Sequence, residues 1–156
     1  TPWHWYADDS AAVGCGWTSP QPYSRHDVAV IDMAPGISAA RLEAMLTPRP
    51  EAVLLRAYGV GNVPSDEPGL TDVIADVLHD GVPVVIASQC QQAEVLLGHY
   101  ETGDAIARAG AIGSGDMTLE ATYAKIMFLL SQGVTGADFG KWMHTSIAGE
   151  ISPSSL

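Results

Sequence analysis

Two short stretches of this sequence carry side chains able to grip or attack a small molecule. They are "RAYGVGN", Arg56 to Asn62, and "SQC", Ser88 to Cys90. Arg56 closes an apolar run, and its planar guanidinium can hold a carboxylate at two points, which suits an amino acid or a dicarboxylate. The same side chain can instead lay its stem over a sheet edge and pair with one of the chain's many acids. Tyr58 and Asn62 offer a hydroxyl and an amide. The glycines between them either admit a ligand close to the backbone or simply allow a tight strand-to-helix turn. Asn62 is followed by Val63, Pro64 and Ser65, so a G-x-G-x-x-G fingerprint is not completed and a dinucleotide is not indicated.

Ser88 and Cys90 stand two positions apart, on one side of an extended strand. A catalytic thiolate at Cys90 needs an activating base. His99 is near in sequence, but nothing orders the segment between them, and a small buried thiol is the favoured reading. His4, His26, His79, His99 and His144 are scattered without ligand spacing, so no metal is expected. A G-x-S-x-G elbow is absent. Asp116 and Thr118 in "GSGDMT" read as helix-start residues, and Trp142 and Met143 as core or contact residues. By chemistry alone, these residues offer a small-molecule edge without a complete catalytic constellation, and no cofactor is implied.

The elements that must position them follow from pattern. "VAVIDM", Val28 to Met33, is a β-rich apolar run punctuated by "PG". Ser38 is placed to cap a short helix, "AARLEAML", that "TPRP" halts. "AVLLRA" is the second strand. Leu70, Val73, Ile74, Val77 and Leu78 fall on one helical face, and Gly81 sits where a C-terminal cap belongs. "VPVVIAS", Val82 to Ser88, is the third strand. "GDAIARAG" reads as a short helix closed by glycine, "AIG" as a brief fourth strand, and Gln89 to Gly98 stays ambiguous. Thr118 caps a helix over Leu119 to Gln132 with Glu120 in its first turn, where the helix dipole favours an anion. "ADFGKWMHTSIAG" gives a weaker last helix.

Apolar strands separated by helices predict a parallel sheet of about four strands covered on both faces, a three-layer, flavodoxin-like α/β domain. Ligands of such sheets bind beyond the carboxyl ends of the strands, where both chemical stretches lie. Residues 27–156 are taken as this domain. Thr1 to His26, with Trp3, Trp5 and Trp17 and the turn-rich "TSPQPYS", is taken as the tail of a preceding domain plus a linker.

The 156 residues suffice for one domain with a core. A net charge of −11 with seven Lys and Arg leaves no basic stripe for nucleic acid and little attraction to anionic membrane. Runs such as "IMFLL" are too short to span a bilayer. Cys15 and Cys90 make no disulfide framework, which favours a reduced, cytoplasmic protein. The chain opens on "TPWHWYADDS" without methionine, and a fragment of a longer protein is expected.

In order, "TSPQP", "PGISA", "LLRAYGVGN", "YETG", "GDMTLEATYAKIMFLLSQG" and "GEISP" resemble the C-terminal domain of bacterial type I (cytoplasmic) L-asparaginases, from about Thr18 to the end. The resemblance implies a two-domain enzyme hydrolysing L-asparagine to L-aspartate and ammonia without metal or cofactor. Its threonine nucleophile lies in T-G-G-T-I-like and T-D-T motifs of the N-terminal domain, and neither motif occurs here, so this chain alone should be inactive. By the same resemblance, Tyr58 and Asn62 complete a neighbouring subunit's active site within a homodimer or homotetramer. Arg56, Ser88 and Cys90 match an effector-asparagine site, with serine where threonine stands in some members. Other readings are a free-standing, non-catalytic amino-acid sensor and the asparaginase-like subunit of an archaeal tRNA amidotransferase, which the low basic content disfavours. Larger animal proteins credited with asparaginase and lysophospholipase activities also carry this domain.

Overall fold

Continuous apolar runs become strands buried on both sides, as they do wherever helices cover both faces of a parallel sheet. The computed structural model describes residues 17–57, 69–88 and 106–152. Within them, β1 (Val28–Asp32), β2 (Ala52–Ala57), β3 (Val84–Ser88) and β4 (Ile112–Gly113) alternate with α1 (Ala39–Met45) and α2 (Leu70–His79). Two further helices, α3 (Leu119–Ser131) and α4 (Ala137–Met143), follow β4. The strands form one parallel sheet in the order β1-β2-β3-β4, each beside its predecessor. The expected α/β class and sheet are the observed ones.

Strand pleating divides the core in two. Val53, Leu55, Ala57, Val84 and Ile86 face α1 and α2, meeting Leu42, Leu46, Leu70, Ile74 and Val77. Ala52, Leu54, Val85 and Ala87 face α3 and α4, meeting Ile126, Leu129, Phe139 and Met143. β2 and β3 therefore carry no alternation in sequence, because neither side of them sees water.

Helix ends follow local chemistry. Ser38 Oγ accepts from Arg41 N–H at 3.1 Å and Thr118 Oγ1 from Ala121 N–H at 3.1 Å, each satisfying a donor the helix leaves open. At the end of α2, Gly81 N–H reaches Leu78 O at 3.0 Å and Val82 N–H reaches Val77 O at 3.2 Å. This paired closure needs the left-handed backbone that Gly81 adopts at φ +84°. Gly133, at φ +74°, closes α3 in the same way.

Some boundaries differ from expectation. β3 begins at Val84, two residues after Val82, and α4 stops at Met143 instead of running on to Gly149. The second difference has a clear cause. Beyond Met143, the Ile147 and Ala148 N–H groups donate to the Glu150 carboxylate at 2.7–3.1 Å, an alternative to helical partners. Asp116 also does more than start a helix: its Oδ1 accepts from Ser152 N–H at 3.0 Å, fastening the C-terminal segment.

Residues 17–27 lie along α3. The Trp17 ring meets Phe128 edge-on at 5.3 Å and Trp142 at 4.4 Å. Gln21 and the Gln132 side chain exchange bonds, N–H to Oε1 at 2.7 Å and Nε2–H to O at 3.1 Å. The Ser24 N–H donates to the Ser131 hydroxyl at 3.2 Å.

Candidate functional site

The carboxyl rim of the sheet is built from the last residues of adjacent strands. Asp32, Arg56 and Ala87 occupy one register row across β1, β2 and β3, and Ala57 pairs with Ser88 in the next. Residues in one row point to one face, so Arg56 leaves the sheet on the α3 side and Ser88 on the α2 side. Both border the same rim. A ligand touching both would have to straddle the end of the sheet.

Arg56 Nη1 donates to Asp32 Oδ1 at 2.9 Å, with the guanidinium side chain 32% exposed. The carboxylate anchors one corner of the fork from the neighbouring strand, fixing its direction at the rim. Ser88 is half-buried. Tyr58, Asn62 and Cys90 lie outside the described residues, as does His99.

Further back along β1 and β2, Val30 and Leu54 form the floor of an apolar cavity of about 270 Å³, walled by Leu119, Glu120 and Tyr123 of α3. Val30 and Tyr123 remain 47% and 40% exposed. Among the described residues no group of His, Cys, Asp and Glu could hold a metal ion, and no helix is long and apolar enough to cross a membrane.

The far end of the rim is held by a buried network that the sequence pattern did not reveal. Lys125 of α3 donates to Met143 O at 3.0 Å and Thr145 O at 2.7 Å and pairs with Glu150. Burial strips water from the Lys125 ammonium and lowers its pKa, and the Glu150 carboxylate restores only part of that loss. Burial alone would raise the Glu150 pKa. The Lys125 ammonium and the Ala148 and Ile147 N–H groups outweigh it and hold the carboxyl below its ordinary value. Several donors converge on the carboxylate, so it stays ionised beside the lysine. This pair fixes the segment from which His144 Nε2 reaches Gly113 O, at 3.2 Å, at the end of β4. Beside it, Ser114 is buried and its hydroxyl has no hydrogen-bond partner among the described residues.

Asp32 and Lys125 had faint signals in the sequence: one is the acid closing the first strand run, the other a lone cation within "ATYAKIMFLL". Their partners come from distant segments, so pattern alone could not supply them.

The glutaminase/asparaginase C-terminal domain family matches residues 27–143. L-asparaginase 1 of Escherichia coli (strain K12) is 38% identical over 143 residues, covering 92% of this chain. A subunit of the glutamyl-tRNA(Gln) amidotransferase of Pyrococcus furiosus is 33% identical over 126 residues, or 81% of this chain and 28% of that protein. The crystal structure of L-asparaginase I from Vibrio cholerae superposes with a TM-score of 0.78 at 36% identity, over 85% of this chain and 40% of that one. The chain spans 42% of the length of the E. coli relative.

Proposed function

Because the chain belongs to the glutaminase/asparaginase C-terminal domain family, we propose that it is the C-terminal domain of an L-asparaginase, an amidohydrolase converting L-asparagine and water to L-aspartate and ammonia. The nucleophile belongs to a preceding N-terminal domain, and this chain contributes regulation and assembly. Tyr58 and Asn62 complete the active site of a neighbouring subunit in a homo-oligomer. Arg56, Ser88 and Cys90 hold an effector asparagine, with Arg56 taking its α-carboxylate at the rim while Asp32 steadies the guanidinium.

The observation that carries this reading is the Arg56–Asp32 pair at the carboxyl rim, 2.9 Å apart on adjacent parallel strands. Asp32 fixes the direction of the guanidinium, and about a third of the Arg56 side chain is exposed, an arrangement suited to meeting a planar anion. Val30 and Leu54, which line the apolar cavity, precede Asp32 and Arg56 by two positions on the same strands.

The test is ammonia release by the full-length parent across a range of asparagine concentrations, with and without Arg56→Ala. Loss of asparagine-dependent activation with basal turnover retained is the expected result. Activation that survives the substitution removes the effector reading. The 156-residue chain by itself should release no ammonia.

Identity to the amidotransferase subunit favours a second reading, in which the same domain serves an enzyme acting on a charged tRNA. The net charge of −11 argues against a tRNA-binding surface here. Salt-dependent binding of tRNA to the chain would reverse that preference.

A further inference from the structure

On the opposite side of the domain from the rim, where the segment before β1 meets the start of β2, Ser24, His26 and Glu51 stand in line. Ser24 Oγ lies 2.8 Å from His26 Nε2, and His26 Nδ1 lies 3.0 Å from Glu51 Oε1. A carboxylate can only accept, so in the neutral ring Nδ1 carries the proton and Nε2 turns its lone pair toward the serine hydroxyl. This is the order nucleophile, base, orienting acid, which is recognised by geometry and roles on unrelated folds.

Ser24 and Glu51 are each fixed by bonds outside the line. The Ser24 N–H donates to the Ser131 hydroxyl at 3.2 Å, and that hydroxyl in turn donates to Met127 O at 2.8 Å. Glu51 Oε2 accepts from Asp27 N–H at 2.7 Å, and Glu51 N–H donates to Asp27 O at 2.8 Å. The His26 side chain is 17% exposed, while Ser24 lies open to solvent. The His26 and Asp27 bonds keep the Glu51 carboxyl below its ordinary value, so it stays ionised at neutral pH and orients the ring.

The geometry points to a nucleophilic site, unconnected with the effector site proposed at the rim, in which Ser24 accepts the acyl group of small activated esters. Ser24 Oγ attacks the ester carbonyl as its proton passes to His26 Nε2. The tetrahedral adduct expels the alcohol as its anion, leaving the acyl group on Oγ and an imidazolium beside Glu51. The imidazolium gives its proton up to solvent. Water then attacks the acyl carbon, the carboxylic acid departs, and Ser24 recovers its hydrogen. The Ser24 N–H already donates to Ser131 Oγ at 3.2 Å, so it is not available to stabilise an oxyanion. Both steps are consequently slow, the leaving group must be a stable anion, and the acyl-serine accumulates.

The experiment uses the 156-residue chain with p-nitrophenyl acetate, read by p-nitrophenolate release and by peptide mass mapping. About one equivalent of p-nitrophenolate should appear, with a single acetyl group on the peptide containing Ser24. Ser24→Ala keeps the backbone bond to Ser131 and should abolish that label. His26→Ala should slow labelling about a hundredfold, the usual contribution of a positioned general base, and Glu51→Gln about tenfold. Labelling of Ser24 at an unchanged rate in His26→Ala would show that the three side chains only fasten the linker. Acetyl groups found on lysines, tyrosines or thiols with Ser24 unmodified would overturn the site, and so would the absence of any acylation.

Discussion

Lys125, in the middle of α3, and Glu150, in the C-terminal segment, form an ion pair in the interior, their side chains only 3% and 15% exposed. The remaining donors of Lys125 are taken by Met143 O and Thr145 O, and the remaining lone pairs of Glu150 by the Ile147 and Ala148 N–H groups. Every polar group in the cluster is thus satisfied, the condition under which a buried pair is tolerated.

Lys125→Met removes one partner and strands a carboxylate in low dielectric. Urea unfolding should show a loss of about 3–5 kcal/mol, with much of it regained in Lys125→Met/Glu150→Leu. A loss below about 1 kcal/mol in the single variant would mean that solvent reaches the pair.

The same carboxylate sets an acid limit. Its pKa in the fold lies below the ordinary value, so its contribution is complete above the ordinary carboxylate range and disappears as pH falls through the depressed value. The lowered Lys125 pKa acts elsewhere, favouring the fold only in alkali, where the unfolded lysine also loses its proton. Thermal midpoints measured from pH 7 to about pH 3 should fall more steeply for the native chain than for the Lys125→Met/Glu150→Leu pair. Parallel curves would contradict this assignment.

Asp32 both aims Arg56 and competes with any anion for it. Asp32→Asn keeps an oxygen to accept from the guanidinium and removes the negative charge. Under the proposed effector reading, asparagine should bind the full-length parent about fivefold more tightly, on the order of 1 kcal/mol for one unit charge near a partly exposed site. Weaker binding in a titration calorimeter would place the ligand carboxylate elsewhere.

Gly81→Ala isolates a backbone cost. A β-carbon there would meet nothing within 4 Å, so the penalty comes only from holding alanine at φ +84°, about 1 kcal/mol. Gly69→Ala adds contact with the Ala39 β-carbon at 3.2 Å. It should be the more destabilising of the two in chemical denaturation, and the reverse order would contradict the geometry.

How far the sequence could be read depended on whether the cause was local. β2 and β3 were legible because burial on both faces leaves an unbroken apolar run, and α2 because its apolar stripe and Gly81 lie within a few residues of one another. Ser38 and Thr118 announced helix starts through bonds to residues three positions ahead. The end of α4 was not legible, since Glu150 draws the Ile147 and Ala148 N–H groups away from helical partners. The docking of Trp17 on Phe128 and Trp142 joins segments that no periodicity relates. At the rim, the strand-end position of Arg56 followed from pattern. Its bond to Asp32 and its departure on the face opposite to Ser88 depend on strand register, which a single sequence does not state.

The sheet order has a consequence for how the chain can be made. Each strand joins the one before it, so synthesis from the N-terminus can lay down β1 to β3 with α1 and α2 as each emerges. The other face, carrying Ala52, Leu54, Val85 and Ala87, stays bare until Ile126, Leu129, Phe139 and Met143 have left the ribosome. A nascent chain stalled before Leu119 therefore presents a half-finished sheet with one apolar side open to water. Such a surface invites chaperones or aggregation, and it makes α3 the element that ends the chain's vulnerability during its own synthesis.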